Sequence, residues 1–206
     1  IISNGEGNNI QYSDFPAIFN GRTNRILSGS NYSTIINGDH HLTNSLHSTI
    51  LSGVFGYSTL PGQILSSTPS PFDTISGSAQ GTIQVISNRE ITHSTTNWEE
   101  IYLNGLPNQF IIPKDGAWTF ETKIIGAEQT LTSRFAYKIV GTVHSDGTTA
   151  VIDAFTVTTI FESNPIFDAR VSVSASSLLI EVRNSIATSD IIRWVATTSI
   201  AELVWS

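Results

Sequence analysis

The side chains best suited to bind a metal ion lie close together in the sequence, at Asp39, His40, His41 and His47. Imidazole nitrogens are common ligands of zinc, copper, iron and nickel. However, His40 and His41 follow Gly38 directly, and adjacent side chains in an extended chain point to opposite sides, so at most one of them can face a shared ion. We therefore interpret this segment as a solvated turn and predict neither a metal site nor a cofactor.

Two sets of carboxylates have the residue types that cleavage of a glycosidic bond requires, a general acid and a second carboxylate. Glu99 and Glu100 are adjacent, so in a strand they face apart, and Asp146, the candidate partner of Asp153, lies in a turn. The sequence contains no Gly-x-Ser-x-Gly motif, phosphate-binding glycine loop or zinc-ligand spacing. These residues predict that the chain is not an enzyme, with glycan cleavage as the least favoured alternative.

Tryptophan side chains can stack on sugar rings, and their surroundings in the sequence separate core from surface. Trp118 and Trp194 alternate with apolar residues and are expected in a core, whereas Trp98 follows a polar segment and is expected at the surface. Binding residues concentrate in loops that a rigid scaffold holds. The predicted binding residues are therefore Trp98 and the turn residues Asp146, Asn164 and Asn184.

A repeat of about eight residues runs through the first sixty residues. Each unit has an aliphatic residue, usually Asn or Ser two positions later, and Gly or Ser at the third position. The aliphatic residues are Ile2, Ile10, Ile18, Ile26, Ile35, Leu42 and Ile50. Short extended segments followed by tight turns predict a solenoid in which two units complete one turn and strands stack about 4.8 Å apart.

The residue that follows the repeated aliphatic residue is itself apolar in four of the seven units. Adjacent residues in a strand point to opposite faces, so these four point outward if the repeated residues fill the coil. Such a face is covered either within one larger domain or by other copies of the chain. We favour the second explanation and predict a homotrimer whose interface contains Phe19, Leu27, Ile36 and Leu51.

The repeat is lost between residues 59 and 80, where turn and linker residues such as Pro61-Gly62 and Pro69-Ser70-Pro71 dominate. Beyond this segment the apolar residues recur with period two and no helix is convincing. Strands are predicted at 82–87, 100–103, 109–112, 117–125, 134–145, 150–162, 168–175, 178–183, 191–198 and 200–205. The prediction is an all-β chain with a β-roll or β-solenoid shaft (1–58), a neck (59–80) and an antiparallel, jelly-roll-like β-sandwich knob (81–206).

The composition excludes several classes of partner. Only 13% of the residues are charged, the net charge is −7, and the ten basic residues are scattered, which argues against nucleic acid as a partner. No apolar run approaches the roughly 20 residues of a membrane span, so membrane insertion is not expected. The chain has neither cysteine nor methionine, and we expect it to be the C-terminal fragment of a longer protein.

The first sixty residues resemble the head repeats of trimeric autotransporter adhesins and the β-structured shafts of phage fibres. The second half resembles a C-terminal domain that recurs in phage tail and other virion structural proteins. That resemblance is carried by strand patterns in the same order and spacing, among them Glu100–Gly105, Ile111–Pro113, Ala117–Phe120, Ala136–Gly141 and Ile192–Ala196.

The resemblance implies a virion protein with a structural or adhesive role and supplies no catalytic residues. The chain would be the distal part of a trimeric phage tail fibre, joined to other virion proteins through the missing N-terminal part and acting outside the cell. Its knob would bind a host cell-surface receptor, expected to be a polysaccharide. The alternative is a purely structural trimerisation domain that binds no receptor.

Overall fold

A computed structural model describes residues 1–68, 77, 79–103, 105, 107–129, 131–189 and 191–205. These residues form β-strands and turns, with no helix among them, so the predicted all-β class is confirmed. Accordingly, this part of the chain contains no helix that is long and apolar enough to cross a membrane. Most of the predicted Pro- and Ser-rich neck, including Pro69-Ser70-Pro71, lies outside the described residues.

The chain divides into two compact units, one of Ile1–Val85 with Ser199–Ser206 and one of Ile86–Thr198. Eight short strands belong to the first unit: β1 (Asn9–Ile10), β2 (Ala17–Ile18), β3 (Arg25–Ile26), β4 (Thr34–Ile35), β5 (Leu42–Thr43), β6 (Thr49–Ile50), β7 (Tyr57–Ser58) and β8 (Ile64–Ser67). Nine further strands follow: β9 (Ala79–Thr92), β10 (Glu99–Glu100), β11 (Phe110–Ile111), β12 (Gly116–Glu128), β13 (Arg134–Ser145), β14 (Ala150–Glu162), β15 (Phe167–Ser174), β16 (Ser177–Asn184) and β17 (Ile191–Val204). Strands β9 and β17 contribute residues to both units.

The first unit is a β-solenoid of about four turns. Its odd-numbered strands stack in parallel in the order β1-β3-β5-β7, and its even-numbered strands stack in the order β2-β4-β6-β8. Ile10 pairs with Ile26 and Ile18 pairs with Ile35, so each turn consumes two of the eight-residue units, as predicted. The ladder continues past the predicted end at residue 58, because Leu65 pairs with Ile50.

The interior of the solenoid contains the repeated aliphatic residues at most of the predicted positions. Ile18, Ile26, Ile35 and Ile50 are fully buried, whereas the predicted interior residues Ile2 and Ile10 are exposed and half-buried respectively. Leu42 was predicted to be interior, but the buried residue of β5 is its neighbour Thr43, which pairs with Ile26. Leu42 is half-buried because it lies only seven residues after Ile35, whereas the eight-residue spacing of the repeat places the inward position at Thr43.

A ladder of polar side chains runs through the solenoid at Asn8, Asn24 and His41. The backbone N–H of Asn24 donates to Asn8 Oδ1 at 3.0 Å, the N–H of His41 donates to Asn24 Oδ1 at 2.9 Å, and the N–H of Gly56 donates to His41 Nδ1 at 2.9 Å. His41 Nε2 then donates to Asn37 O at 3.2 Å. The predicted solvated turn is therefore wrong for His41, which is buried and takes the place of a ladder asparagine.

The second unit contains two antiparallel sheets. The first has the strand order β14-β13-β12-β17-β9, and in the second β16 pairs with β15, β10 and β11. Strands β13 and β14 begin and end at the predicted residues, whereas the predicted strands 191–198 and 200–205 form the single strand β17. Large buried side chains join the sheets, since the rings of Phe135 and Phe167 lie 4.0 Å apart between centroids.

Candidate functional site

Charged side chains of opposite sign alternate on the outer face of the second sheet. Asp168 of β15 lies opposite Arg183 of β16, and Arg170 lies opposite Glu181. On the other side of β16, Glu181 lies opposite Glu100 of β10. These residues share one face because directly opposed side chains in an antiparallel pair point the same way. The alternate residues of β16, such as Ile180, are buried on the core face.

Trp98 precedes β10 and packs on this charged face. The guanidinium carbon of Arg170 lies 4.2 Å from the centroid of the indole ring, and that of Arg183 lies 4.5 Å from it. Both cations are held from the other side, because Arg170 Nε donates to Glu181 Oε2 at 2.8 Å and Arg183 Nη2 lies 2.9 Å from Asp168 Oδ2. Trp98 is therefore half-buried in a fixed orientation, and we call these five residues with Glu100 the Trp98 surface.

A second aromatic residue borders the Trp98 surface. The guanidinium of Arg89 lies 4.7 Å from the ring centroid of Tyr102 and donates from Nη1 to the carbonyl oxygen of Glu100 at 2.8 Å. Arg89 Nη2 also lies 3.5 Å from Glu99 Oε2. These contacts of Arg89 hold in place the backbone segment that carries Trp98 and Glu100.

Glu100 and Glu181 form a carboxylate pair that the sequence did not reveal, because only the fold brings them together. Burial raises the pKa of Glu100, and the nearby charge of Glu181 acts in the same direction, against a hydrogen bond from Gln109 Nε2 to Glu100 Oε2 at 3.2 Å. Glu100 is thus protonated more readily than an ordinary glutamate, while Arg170 holds the carboxylate opposite it. A carboxyl group whose pKa is raised beside a second carboxylate is a feature of sites that transfer protons.

The Trp98 surface offers the groups that recognise a carbohydrate. An indole presents a wide apolar area with an N–H donor, and guanidinium and carboxylate groups bind hydroxyls as donors and acceptors. The paired charges are already ordered by one another, so a ligand would meet a fixed arrangement.

The other predicted binding residues, Asp146, Asn164 and Asn184, lie outside the Trp98 surface. Asp146 closes the turn between β13 and β14, where its Oδ1 accepts hydrogen bonds from Thr148 N, Thr148 Oγ1 and Thr149 N at 2.7–2.8 Å. These hydrogen bonds, that from the Thr149 N–H first, lower the pKa of Asp146 to about 2. The carboxylate is therefore occupied in shaping the turn.

Asn164 lies just before the start of β15, and Asn184 is the last residue of β16. Asn184 is fully buried at the end of β16, where its Oδ1 accepts from Ile186 N at 3.0 Å and its Nδ2 donates to Thr188 Oγ1 at 3.2 Å. Asn164 is exposed in the turn between β14 and β15. Of the four predicted residues, only Trp98 lies in a cluster of groups suited to a ligand.

The residues of the predicted trimer interface divide between two columns of the solenoid. Phe19, Ile36 and Leu51 follow the paired positions of β2, β4 and β6 and are all exposed on successive turns. Leu27 lies in the other stack, where its N–H donates to Thr43 O, and it is half-buried. The outward orientation of the first three agrees with the expectation, while their role between chains stays a prediction.

The described residues contain no group of three or more His, Asp or Glu side chains that could hold a metal ion. His41 uses both ring nitrogens within the solenoid, and burial lowers its pKa to about 4. Asp39 pairs with Arg22 at 2.8 Å, and this contact is the main cause that lowers the pKa of its carboxyl group.

No protein-family model and no curated protein matches this sequence. Among solved structures, the chain is similar to the tailspike protein gp49 of Acinetobacter baumannii bacteriophage Fri1, a capsular polysaccharide depolymerase, with 11% identity and a TM-score of 0.35 over 91% of this chain and 36% of that one. It is also similar to the tailspike of A. baumannii phage AM24, with 9% identity and a TM-score of 0.36 over 94% of this chain and 49% of that one.

A third similar structure is the tailspike of Acinetobacter phage vB_ApiP_P1, with 12% identity and a TM-score of 0.29 over 96% of this chain and 41% of that one. The chain therefore spans less than half of each of these tailspikes. Likenesses this distant transfer no activity or substrate to the chain. Because one of the similar proteins is a depolymerase, the prediction that the chain is not an enzyme is contradicted and is withdrawn.

Proposed function

We propose that this chain is the distal part of a trimeric phage tail fibre or spike, and that its second unit binds a cell-surface polysaccharide through the Trp98 surface. The solenoid would be the shaft, and the two sheets of the second unit would form a sandwich-like knob. The protein would lie on the virion and act outside the cell. The observation that carries the binding proposal is the indole of Trp98 packed against the guanidinium groups of Arg170 and Arg183.

The Trp98 surface fits a neutral or weakly charged glycan better than a polyanion. Its two guanidinium groups are each paired with a carboxylate, and Glu100 adds a third acidic group. A polyanion would have to displace these pairs, whereas sugar hydroxyls can add hydrogen bonds to groups that are already ordered.

A trimer would suit both the solenoid and weak glycan binding. Phe19, Ile36 and Leu51 form an exposed apolar column on successive turns, and neighbouring chains would cover it. Three linked binding sites would raise a weak affinity for a repeating polymer through avidity.

The binding proposal is tested with Trp98→Ala on purified Acinetobacter capsular polysaccharides immobilised on a biosensor, chosen because one similar protein degrades such a polymer. We expect an at least tenfold rise in Kd, since the change removes the stacking surface and releases both arginines. Trp205→Ala is the matched control, because Trp205 is an exposed tryptophan outside the Trp98 surface and its loss should leave Kd unchanged. If the Trp98 variant had the same Kd as the unaltered protein, the Trp98 surface would not be the binding site. Absence of binding by the unaltered protein across polysaccharides and whole cells would favour the purely structural alternative.

Glycan cleavage is a second candidate, favoured by the carboxylate pair of Glu100 and Glu181. Directly opposed residues lie about 5 Å apart, the separation of a retaining glycosidase. Glu100 would give its proton to the glycosidic oxygen as the glycosidic bond breaks and Glu181 bonds to the anomeric carbon; a water, losing a proton to Glu100, would then displace Glu181 from that carbon. The same polysaccharide samples would then release reducing ends, and Glu100→Gln would abolish the release. Glu90→Gln is the control, because Glu90 is an exposed glutamate of β9 paired with Arg193. No release by the unaltered protein would exclude the candidate.

A further inference from the structure

Strand β14 is exposed along most of its length. It forms the edge of the first sheet in the second unit, and no other strand in the described part of the chain pairs with its outer edge. Of the thirteen residues from Ala150 to Glu162, all but the first, Ile152 and the last are exposed. In the neighbouring strand β13, by contrast, alternate residues are buried.

Each face of β14 carries an exposed phenylalanine. Phe155, opposite Gly141, lies on the face that continues the core side of the sheet, and it is 45% exposed. A bulge beside Ala136 turns the end of the strand, so that Phe161 lies on the outer face, where it is 47% exposed. The outer face also has a hollow of about 350 Å³, lined by Ile125, Leu131, Ala136 and Phe161 among others.

The sequence of β14 lacks the usual protection of an edge strand. Residues 154–161 read Ala-Phe-Thr-Val-Thr-Thr-Ile-Phe, with no charge and no proline. Edge strands that stay free in solution are commonly blunted by lysine, proline or short length. Acidic residues flank this segment on both sides. Asp153 Oδ1 lies 2.9 Å from His144 Nδ1 and is therefore paired within the sheet, and Glu162 is the last residue of the strand.

We propose that β14 is a contact between copies of this chain, with the Phe155 face of one copy packed on the Phe161 face of the next in a ring of three. A twofold dimer brings identical patches together, whereas a contact between two different faces is heterologous and forms a ring when its rotation closes, as a threefold rotation does. In such a ring each copy has two neighbours, one for each face of β14. The hollow beside Phe161, which Arg134 also lines, gives an apolar side chain of the neighbouring copy a place to pack.

Another copy of the chain fits β14 better than an unrelated partner. The solenoid independently exposes the apolar column of Phe19, Ile36 and Leu51, so both units present surfaces that require cover. The uncharged centre of β14 offers an unrelated protein no complementary charge, yet causes no repulsion between identical copies. The inference deepens the proposed function, since it rests on the trimer and assigns residues to it.

The test compares single aspartate variants on the two faces, Phe155→Asp and Phe161→Asp, by light scattering after size-exclusion chromatography. The unaltered chain should give about three times its mass of 22.3 kDa, and each variant should show a threefold fall in mass, because every contact in the ring uses both faces. Ile111→Asp is the control, since Ile111 is 58% exposed on β11, away from β14, and its variant should keep the mass of the unaltered protein. Far-UV circular dichroism of the variants should stay that of a folded β protein, because both phenylalanines are partly exposed on an edge strand.

The outcomes separate this inference from the proposed function. A monomeric unaltered chain would overturn the trimer and with it the role of β14, while leaving glycan binding to its own test. A trimer that neither variant disrupts would overturn the role of β14 alone. Dissociation by only one variant would show that a single face is covered and would overturn the ring contact.

Discussion

The two units of the chain bury different kinds of side chain. The solenoid buries isoleucines together with polar residues. These are Asn24 and His41, which continue the ladder from the half-buried Asn8, and a hydroxyl cluster in which Ser48 Oγ lies 3.2 Å from Ser33 Oγ and 3.0 Å from Ser58 Oγ. The second unit instead buries aromatic and aliphatic side chains from two sheets, among them Trp118, Phe120, Tyr137, Phe167 and Trp194.

This difference follows from how each unit is assembled. A solenoid turn contacts only the turns before and after it, so interior hydrogen bonds that repeat from turn to turn can satisfy most buried polar groups and fix the stacking register. Two packed sheets have no such repeat, and their stability depends on the apolar area removed from water. We therefore expect the second unit to be sensitive to lost volume and the solenoid to be sensitive to lost hydrogen bonds and close backbone contacts.

The largest expected effect is that of Trp194→Ala in the second unit. The indole is buried beside Phe135 and Phe167, with ring centroids about 6 Å apart, and its Nε1 donates to His93 Nε2 at 3.1 Å. Removing such a side chain leaves a cavity, and the free energy of unfolding should fall by about 3–5 kcal/mol. Urea denaturation followed by circular dichroism measures this loss.

Val195→Ala is the control for Trp194→Ala, since Val195 is the next residue of β17 and is exposed. Its free energy of unfolding should change by less than about 0.5 kcal/mol. Hydrogen exchange measured on peptides from 17–58 should stay protected in the Trp194 variant. A loss of protection there equal to that in the second unit would contradict the expected separation of the two interiors.

Much of the fold was predictable because its signals are local. The recurrence of glycine after an aliphatic residue identifies the solenoid turns, and apolar alternation places β13 and β14 at 134–145 and 150–162. The aliphatic repeat did not predict the inward position of Thr43, because the solenoid interior accepts hydroxyl side chains as well as aliphatic ones. The inward position of His41 was not predicted either, because the ladder of Asn8 and Asn24 lies outside the eight-residue pattern and a histidine takes the place of its asparagine.

The Trp98 surface was only partly predictable. The alternation of Asp168 with Arg170 and of Glu181 with Arg183, on either side of a tight turn, is a signal of cross-strand charge pairs in a hairpin. The pairing of Glu100 with Glu181 spans about eighty residues, and its position depends on which strand lies beside β16. No local pattern in the sequence specifies that choice.

The next largest effect is a loss of solenoid stability in acid, caused by His41. Burial lowers the pKa of His41 from 6.5 to about 4 in the folded chain, so the unfolded chain takes up the proton first as the pH falls. The contribution of a neutral His41 is complete above about pH 6.5 and is lost progressively between there and about pH 4, by about 2–4 kcal/mol in all. Thermal unfolding of the solenoid at pH 7.5, 6, 5 and 4.5 measures it.

His41→Asn is the control for the acid effect, because asparagine restores the residue that the ladder has at Asn8 and Asn24 and does not titrate in this range. The variant should keep its melting temperature between pH 7.5 and 4.5 better than the unaltered chain. An equal acid loss in the two proteins would assign the effect to other groups and would remove His41 as its source.

The smallest of the three effects tests whether close backbone contact between turns stabilises the solenoid. Gly21 has φ of 108°, and a Cβ atom there would lie only 2.0 Å from the carbonyl oxygen of Gly38 in the next turn. Gly29 also has positive φ, at 80°, but a Cβ there would meet no atom within 4 Å. Gly21→Ala should therefore lower the free energy of unfolding by about 1–3 kcal/mol more than Gly29→Ala, since only the first adds a steric clash to the backbone strain that both share. The difference in urea midpoint between the two variants measures the contact alone. If the two variants lost the same free energy of unfolding, the positive φ of the glycines, and not the close approach of the turns, would explain why glycine recurs in the repeat. The contrast between the solenoid and the second unit would then depend on the polar ladder of Asn8, Asn24 and His41 alone.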